Sequence, residues 1–268
     1  DRFFNMGIAE SNMVATAAGL STIGKIPFVN TFTVFLTTLG LIATRAQVCY
    51  GNLNVKFGGA YCGMSDAFDG ATHHANEDIA VMRALPNMTV IVPSDETSTR
   101  WATEFAIEHQ GPVYLRLSRD VYPDLYNEET KLECGKGAIV REGNDVTVIA
   151  CGLLVHKAME AAEILKDKGI SVRVVDMYSI KPIDKELSLK CAAETGAIVT
   201  AEEHNIFGGL GGAVSEVLAW GGASAPTEFV GIQDTFTESA PYSQLLAKYG
   251  VDANGVIAGI EKVLARKK

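Results

Sequence analysis

Two rhythms of apolar and polar residues run along this chain. Short runs rich in β-branched and aromatic residues, at 3–6, 28–31, 55–57, 89–92 and 113–117, predict strands. Between them, apolar residues at helical spacing predict helices at 10–23, 35–49, 77–85 and 94–109. Residues 122–133 break the rhythm with Pro123, Asp124, Asn127 and the pair Glu128-Glu129. A second series then gives strands at 146–150, 172–175, 197–201 and 229–231, with helices at 153–168, 184–193, 212–220, 242–248 and 253–265. Strands alternating with helices favour parallel sheets covered on both faces. The predicted fold is α/β: two doubly wound domains, at 1–121 and 135–268, joined by a linker at 122–134.

The stretch 26–44 carries no charge, which raises the question of a membrane span. Asn30, several threonines, Pro27 and Gly40 argue against one, and the run divides into a strand and a helix. A helix apolar on most sides must be covered on most sides, either by its own core or by another subunit. The second option is the expectation here. A net charge of -9, with no basic stripe, makes nucleic acid and anionic membrane poor partners. Five scattered cysteines without a C-x-x-C pair fit buried thiols in a reducing, cytoplasmic setting. The chain opens on Asp1 and not on Met, and it reads as though it starts inside a domain.

Several side chains could carry chemistry. Glu10 stands at a strand-to-helix junction, where a carboxylate either favours the helix dipole or meets a ligand. Asp69-Gly70-Ala71-Thr72-His73 is a loop ahead of a helix, an arrangement that presents acid and imidazole to a cleft. His73 and His74 are adjacent and cannot face one metal from a helix, and no further ligand lies at the right spacing, so no metal site is predicted. Phe32 and Phe35 read as core aromatics or as a ring-binding pair. Arg119, near the end of a strand, reads as a surface ion pair or as a fork for an anion. The glycines at 208–212 sit where a dinucleotide fingerprint would, but Val214 occupies the position that needs a small residue, which leaves a tight turn.

Taken together and in order, these stretches resemble the transketolase family. Gly7-Ile8-Ala9-Glu10-Ser11-Asn12-Met13 resembles its "GIAEQNM", Thr31-Phe32-Thr33-Val34-Phe35 its "TFxxF", and Asp69 to His73 its "GEDGPTHQP". Leu85-Pro86-Asn87, Pro93-Ser94-Asp95, Leu117-Ser118-Arg119 and Glu238-Ser239-Ala240-Pro241 match the signposts "LPN", "PSD", "LSR" and "GESAP". Glu202-Glu203-His204 ahead of the glycines is similar to the "EDH" run of the family's C-terminal domain, to which no catalysis is assigned. The resemblance implies a pyrimidine-binding domain followed by a transketolase C-terminal domain. It also implies that Glu10 activates thiamine diphosphate, that Phe32 and Phe35 flank its aminopyrimidine ring, and that His73 moves protons on the sugar. Asp69 would then check a hydroxyl, and Arg119 would anchor the substrate phosphate.

The Gly-Asp-Gly motif that holds magnesium and diphosphate in thiamine enzymes is not in this sequence. The resemblance therefore implies the second half of a split transketolase of the pentose phosphate type, active only with an amino-terminal subunit that binds Mg2+ and diphosphate, and self-associating. The family's strand and helix ahead of "GIAE" are also missing, so the first domain is expected to be short. Within "HxxxxVGEDGPTH", Tyr61 replaces a sugar-facing histidine and Phe68 a glutamate. These departures imply a preferred sugar other than xylulose 5-phosphate and ribose 5-phosphate. Two other readings stand beside this one. One is a beta subunit of another thiamine enzyme, of 2-oxo acid dehydrogenase or deoxyxylulose phosphate synthase type, and the other is a non-catalytic assembly subunit.

Overall fold

The computed structural model describes residues 2–267, so Asp1 and Lys268 at the ends of the two predicted domains lie outside it. The first sheet has the order β1-β2-β4-β3-β8 and the second β10-β9-β6-β7-β5. β1 (Phe28–Phe32), β2 (Lys56–Ala60), β4 (Val113–Arg116) and β3 (Thr89–Ile91) run parallel. Helices α1 (Glu10–Thr22), α4 (Asp78–Ala84) and α5 (Glu96–Glu108) flank them. In the second sheet β6 (Val146–Ala150), β7 (Val172–Asp176), β9 (Ile198–Asn205) and β10 (Thr227–Ile232) are parallel, with β5 (Ala138–Arg141) added antiparallel at the edge. Its helices are α6 (Leu153–Lys166), α7 (Lys185–Thr195), α8 (Leu210–Trp220), α9 (Tyr242–Lys248) and α10 (Ala253–Arg266).

Four features depart from the pattern-based expectation. Residues 3–6 form no strand: Gly7 N–H folds back on Asn5 Oδ1 at 2.9 Å, and a run without a ladder partner gains nothing from extension. The helix expected at 35–49 is broken into α2 (Thr33–Thr38), α3 (Leu41–Ala43) and a π-helical turn (Thr44–Cys49). The hydroxyls of Thr37, Thr38 and Thr44 donate to carbonyls four residues back, which bends such helices, and Gly40 sits at the break. Among the described residues no helix is long and apolar enough to cross a membrane. β5 was not signalled, and neither was β8 (Ser179–Lys181), which leaves the second half of the chain and pairs antiparallel with β3.

That crossing strand is one of several ties between the halves. One continuous core joins Phe57 and Val90 of the first sheet to Ile149, Val175 and Met177 of the second. Asp95 caps α5 by accepting from Ser98 N–H at 2.7 Å, and its other oxygen takes the N–H groups of Leu125 and Tyr126 at 2.9 and 2.8 Å. This anchors the segment predicted as a linker to the first sheet.

Candidate active site

In the first sheet the residues that follow β1, β2 and β4 converge, since parallel neighbours end at the same edge. β1 ends on Phe32, and Phe35 lies one turn into the helix that follows. Their rings stack with centroids 5.9 Å apart and planes at 17°. His73 stands edge-on to both, at 5.9 Å from Phe32 and 5.2 Å from Phe35. Tyr61 follows β2 with a left-handed backbone (φ 58°) and meets Phe32 edge-on at 4.7 Å. Arg119, beyond the end of β4, lays its guanidinium over the Tyr61 ring at 5.3 Å.

Four of the predicted residues, with Arg119 behind Tyr61, therefore form one continuous wall. Glu10 is not in ring contact with it. It opens α1 on the face that also carries Val14, Ala17 and Ala18, and it is buried, with 7% of its surface exposed. Among the described residues no donor reaches its carboxylate. α1 packs against α2, the helix that bears Phe35, and Ser11 donates to the Leu39 carbonyl. A carboxylate that accepts no hydrogen bond among the described residues, on the helix packed against the one that bears Phe35, fits an aromatic nitrogen heterocycle that brings its own donor. Among the described residues no group of three or more His, Cys, Asp or Glu side chains could hold a metal.

The loop 61–76 presents Asp69 and His73. His73 closes a turn on the Gly70 carbonyl (2.9 Å), and its Nδ1 lies 3.0 Å from Thr72 Oγ1. The two histidines have different environments. His74 is buried with Nδ1 2.6 Å from Thr237 Oγ1, and burial lowers its pKa, so it serves as an anchor. Ser239 Oγ donates to the Phe68 carbonyl at 2.5 Å, and Ala240 N–H donates to that of Ala67 at 3.4 Å. The stretch 237–240 is thus a strap from the second half of the chain across the back of the loop.

Glu203 provides a second hold. Its carboxylate accepts from Met64 N–H at 2.6 Å and from the Tyr242 hydroxyl at 2.8 Å. Gly63 (φ 58°) makes room for it, because a Cβ there would lie 2.5 Å from the Glu203 carboxyl carbon. Burial pushes the Glu203 pKa up to about 7, against the pull of Arg116. Glu202 accepts from the N–H groups of Leu210 and Gly211 at 2.7 and 2.8 Å, so the glycine run starts α8 on a carboxylate. Below these, Arg116 grips Asp78 through Nε at 2.7 Å and Nη2 at 3.0 Å, with the Tyr114 hydroxyl on the same carboxylate at 2.6 Å. Burial would raise the Asp78 pKa, but Arg116 overrides it and holds the carboxyl below the ordinary range.

Asp66, Asp78 and Arg116 had no role assigned from the residue pattern, and Glu203 was noted only as part of the "EDH"-like run. Asp66 had a signal, because it stands where the "VGEDG" pattern carries valine. The other three act through partners 36 to 139 residues away in sequence, which spacing does not reveal.

The model of the transketolase pyrimidine binding domain matches residues 1–124, and that of the transketolase C-terminal domain matches residues 135–256. A putative transketolase C-terminal section from Methanocaldococcus jannaschii is 42% identical over 269 residues, covering 100% of this chain and 84% of the relative. A 6-deoxy-6-sulfo-D-fructose transketolase subunit from a Clostridium species is 38% identical over 266 residues, 99% of this chain and 82% of the relative. Among solved structures, a split gene transketolase described as an inactive beta4 tetramer superposes with a TM-score of 0.93 at 49% identity, over 100% of this chain and 86% of that one.

Proposed function

Because this chain belongs to the transketolase family, as the subunit of a split enzyme that carries the pyrimidine-binding and C-terminal domains, we propose that it supplies the pyrimidine seat and the sugar-handling wall of a two-chain active site. The reaction is transfer of a two-carbon ketol unit from a ketose phosphate to an aldose phosphate. Thiamine diphosphate, when bound, supplies the carbanion chemistry. Its Mg2+ and diphosphate fall to the partner chain. The reading rests on the pairing of Glu10, 7% exposed and without a donor among the described residues, with the stacked Phe32 and Phe35.

Each residue then has one task. Glu10 would share a proton with the pyrimidine nitrogen N1', and the stacked Phe32 and Phe35 would offer the ring an aromatic surface. His73, held by Thr72 and the Gly70 turn, exchanges protons with the sugar's carbonyl and hydroxyls, within the usual range of general acid-base catalysis. Asp69 accepts from a sugar hydroxyl, and Arg119 faces the anionic end. Tyr61 offers a hydroxyl where the family pattern has an imidazole, and Phe68, 68% exposed beside Asp69, offers apolar bulk. A site that leaves a substrate hydroxyl unpaired rejects it strongly, so the preferred sugar differs from xylulose 5-phosphate and ribose 5-phosphate.

Exposed Leu39 and Ile42, on the broken helix 33–49, support self-association through that face, and five unpaired cysteines fit a reducing cytoplasm. Relatives named as a transketolase C-terminal section and a transketolase subunit favour this reading over the oxo acid dehydrogenase and assembly alternatives.

Glu10→Ala in the enzyme co-purified with its partner tests the proposal. Turnover should be lost while the circular dichroism spectrum stays native, since a helix-start glutamate contributes only about 0.3–1 kcal/mol to stability. Near-normal turnover would remove Glu10 from the mechanism.

A further inference from the structure

Arg119 is not a free cation. Its Nη1 donates to Asp66 Oδ1 at 2.6 Å, its backbone N–H donates to Ser65 Oγ at 3.3 Å, and its plane rests on Tyr61. The guanidinium side chain is 53% exposed, whereas Asp66 is 1% exposed. Among the described residues Asp66 Oδ2 has no hydrogen-bond partner. Burial, with the Asp69 carboxyl beside it, raises the Asp66 pKa against the pull of Arg119. The valine of the family pattern at this position could neither hold the arginine nor offset its charge.

We infer that Asp66 is a positioning and specificity-determining residue: it aims the Arg119 fork at the anionic end of the sugar and offsets its charge, which reduces the advantage that an unpaired arginine would give a dianionic terminal group over a monoanionic one. The effect is Coulombic. One unit charge seen from about 4 Å through water changes an equilibrium constant by about fivefold, and a dianion feels twice the repulsion of a monoanion. The loss of Asp66's charge therefore helps the dianion about fivefold more than the monoanion. This inference rests on the proposed placement of Arg119 against substrate.

The test compares glycerol 3-phosphate with 2,3-dihydroxypropanesulfonate, a monoanion of similar size, at about pH 8, where the phosphate ester is a dianion. Each is titrated into the full chain while the Arg119 Nε–H resonance, identified by its loss in Arg119→Gln, is followed. Asp66→Asn keeps an acceptor for Arg119 and removes the charge. The ratio of the two dissociation constants should move about fivefold toward phosphate. Asp66→Val should move it in the same sense, since lost aim affects both ligands and cancels in the ratio. An unchanged ratio in the folded variants, or an Arg119 resonance that neither ligand moves, would overturn the inference. The readout needs no turnover, so a co-purified enzyme that fails to transfer two-carbon units would refute the proposed function and leave this ratio to be decided separately.

Discussion

Glutamine in place of Glu203 gives a change that can be sized from the structure. The Glu203 carboxylate is buried, accepts from Met64 and Tyr242, and has its pKa pushed by burial from an ordinary 4.5 to about 7. Between those two values the folded chain holds a proton that the unfolded chain has released. Ionisation of Glu203 therefore opposes folding. The cost is absent below about pH 4.5, grows as pH rises toward 7, and is complete above it. At 1.36 kcal/mol per pH unit across this gap, it comes to about 3 kcal/mol. Glutamine keeps an oxygen for Met64 N–H and never ionises. In urea unfolding followed from pH 5 to pH 8, Glu203→Gln should match the natural chain near pH 5 and exceed it by about 3 kcal/mol at pH 8. Asp176, also raised to about 7 by burial, titrates in both proteins and drops out of the difference. A stability difference that is the same at both ends of the range would refute the reasoning, because Glu203 would then not change its proton occupancy on folding.

Three more outcomes are expected. The purified chain alone should bind thiamine diphosphate weakly and catalyse nothing, gaining both properties only with a partner that carries the magnesium and diphosphate motif; sub-micromolar cofactor binding by calorimetry would contradict this. Tyr61→His in the co-purified enzyme should raise the specificity constant for xylulose 5-phosphate with ribose 5-phosphate relative to other sugar phosphates, and natural enzyme that already prefers this pair would sink the idea. Asp78→Asn should cost about 3–5 kcal/mol in denaturant unfolding, because it strands the Arg116 charge in the interior, and a loss under about 1 kcal/mol would mean that Tyr114 and the backbone carbonyls suffice.

Much of the layout was legible in the sequence because parallel strands buried on both faces are rich in apolar, β-branched residues, as at Val146–Ala150. β8 was not legible, because Ser179–Lys181 is three residues long with no period of its own and is held by β3 in the other sheet. Residues 3–6 failed the other way: their composition is strand-like, yet they enter no ladder, and Gly7 N–H folds back on Asn5. In the site, Phe32 and Phe35 were legible as a pair because a strand-to-helix junction brings residues three apart together. On pattern alone Glu10 could pass for a dipole partner, and only its burial without a donor separates it from one. Asp66 and Glu203 act across the fold, so their partners become visible only in three dimensions.

The crossing of β8 limits how this polypeptide can be divided. A cut in the segment 122–134 would look harmless on a domain map, yet it would leave two fragments that still share a ladder. The first would expose β3 as a bare edge, open to pairing with any passing strand, and the second would carry a three-residue strand with no sheet to join. Lys181, whose ammonium closes α4 on the carbonyls of Arg83 and Leu85, would leave with it. Evolution or an engineer seeking to separate the cofactor seat from the C-terminal half would first have to supply a replacement edge for β3.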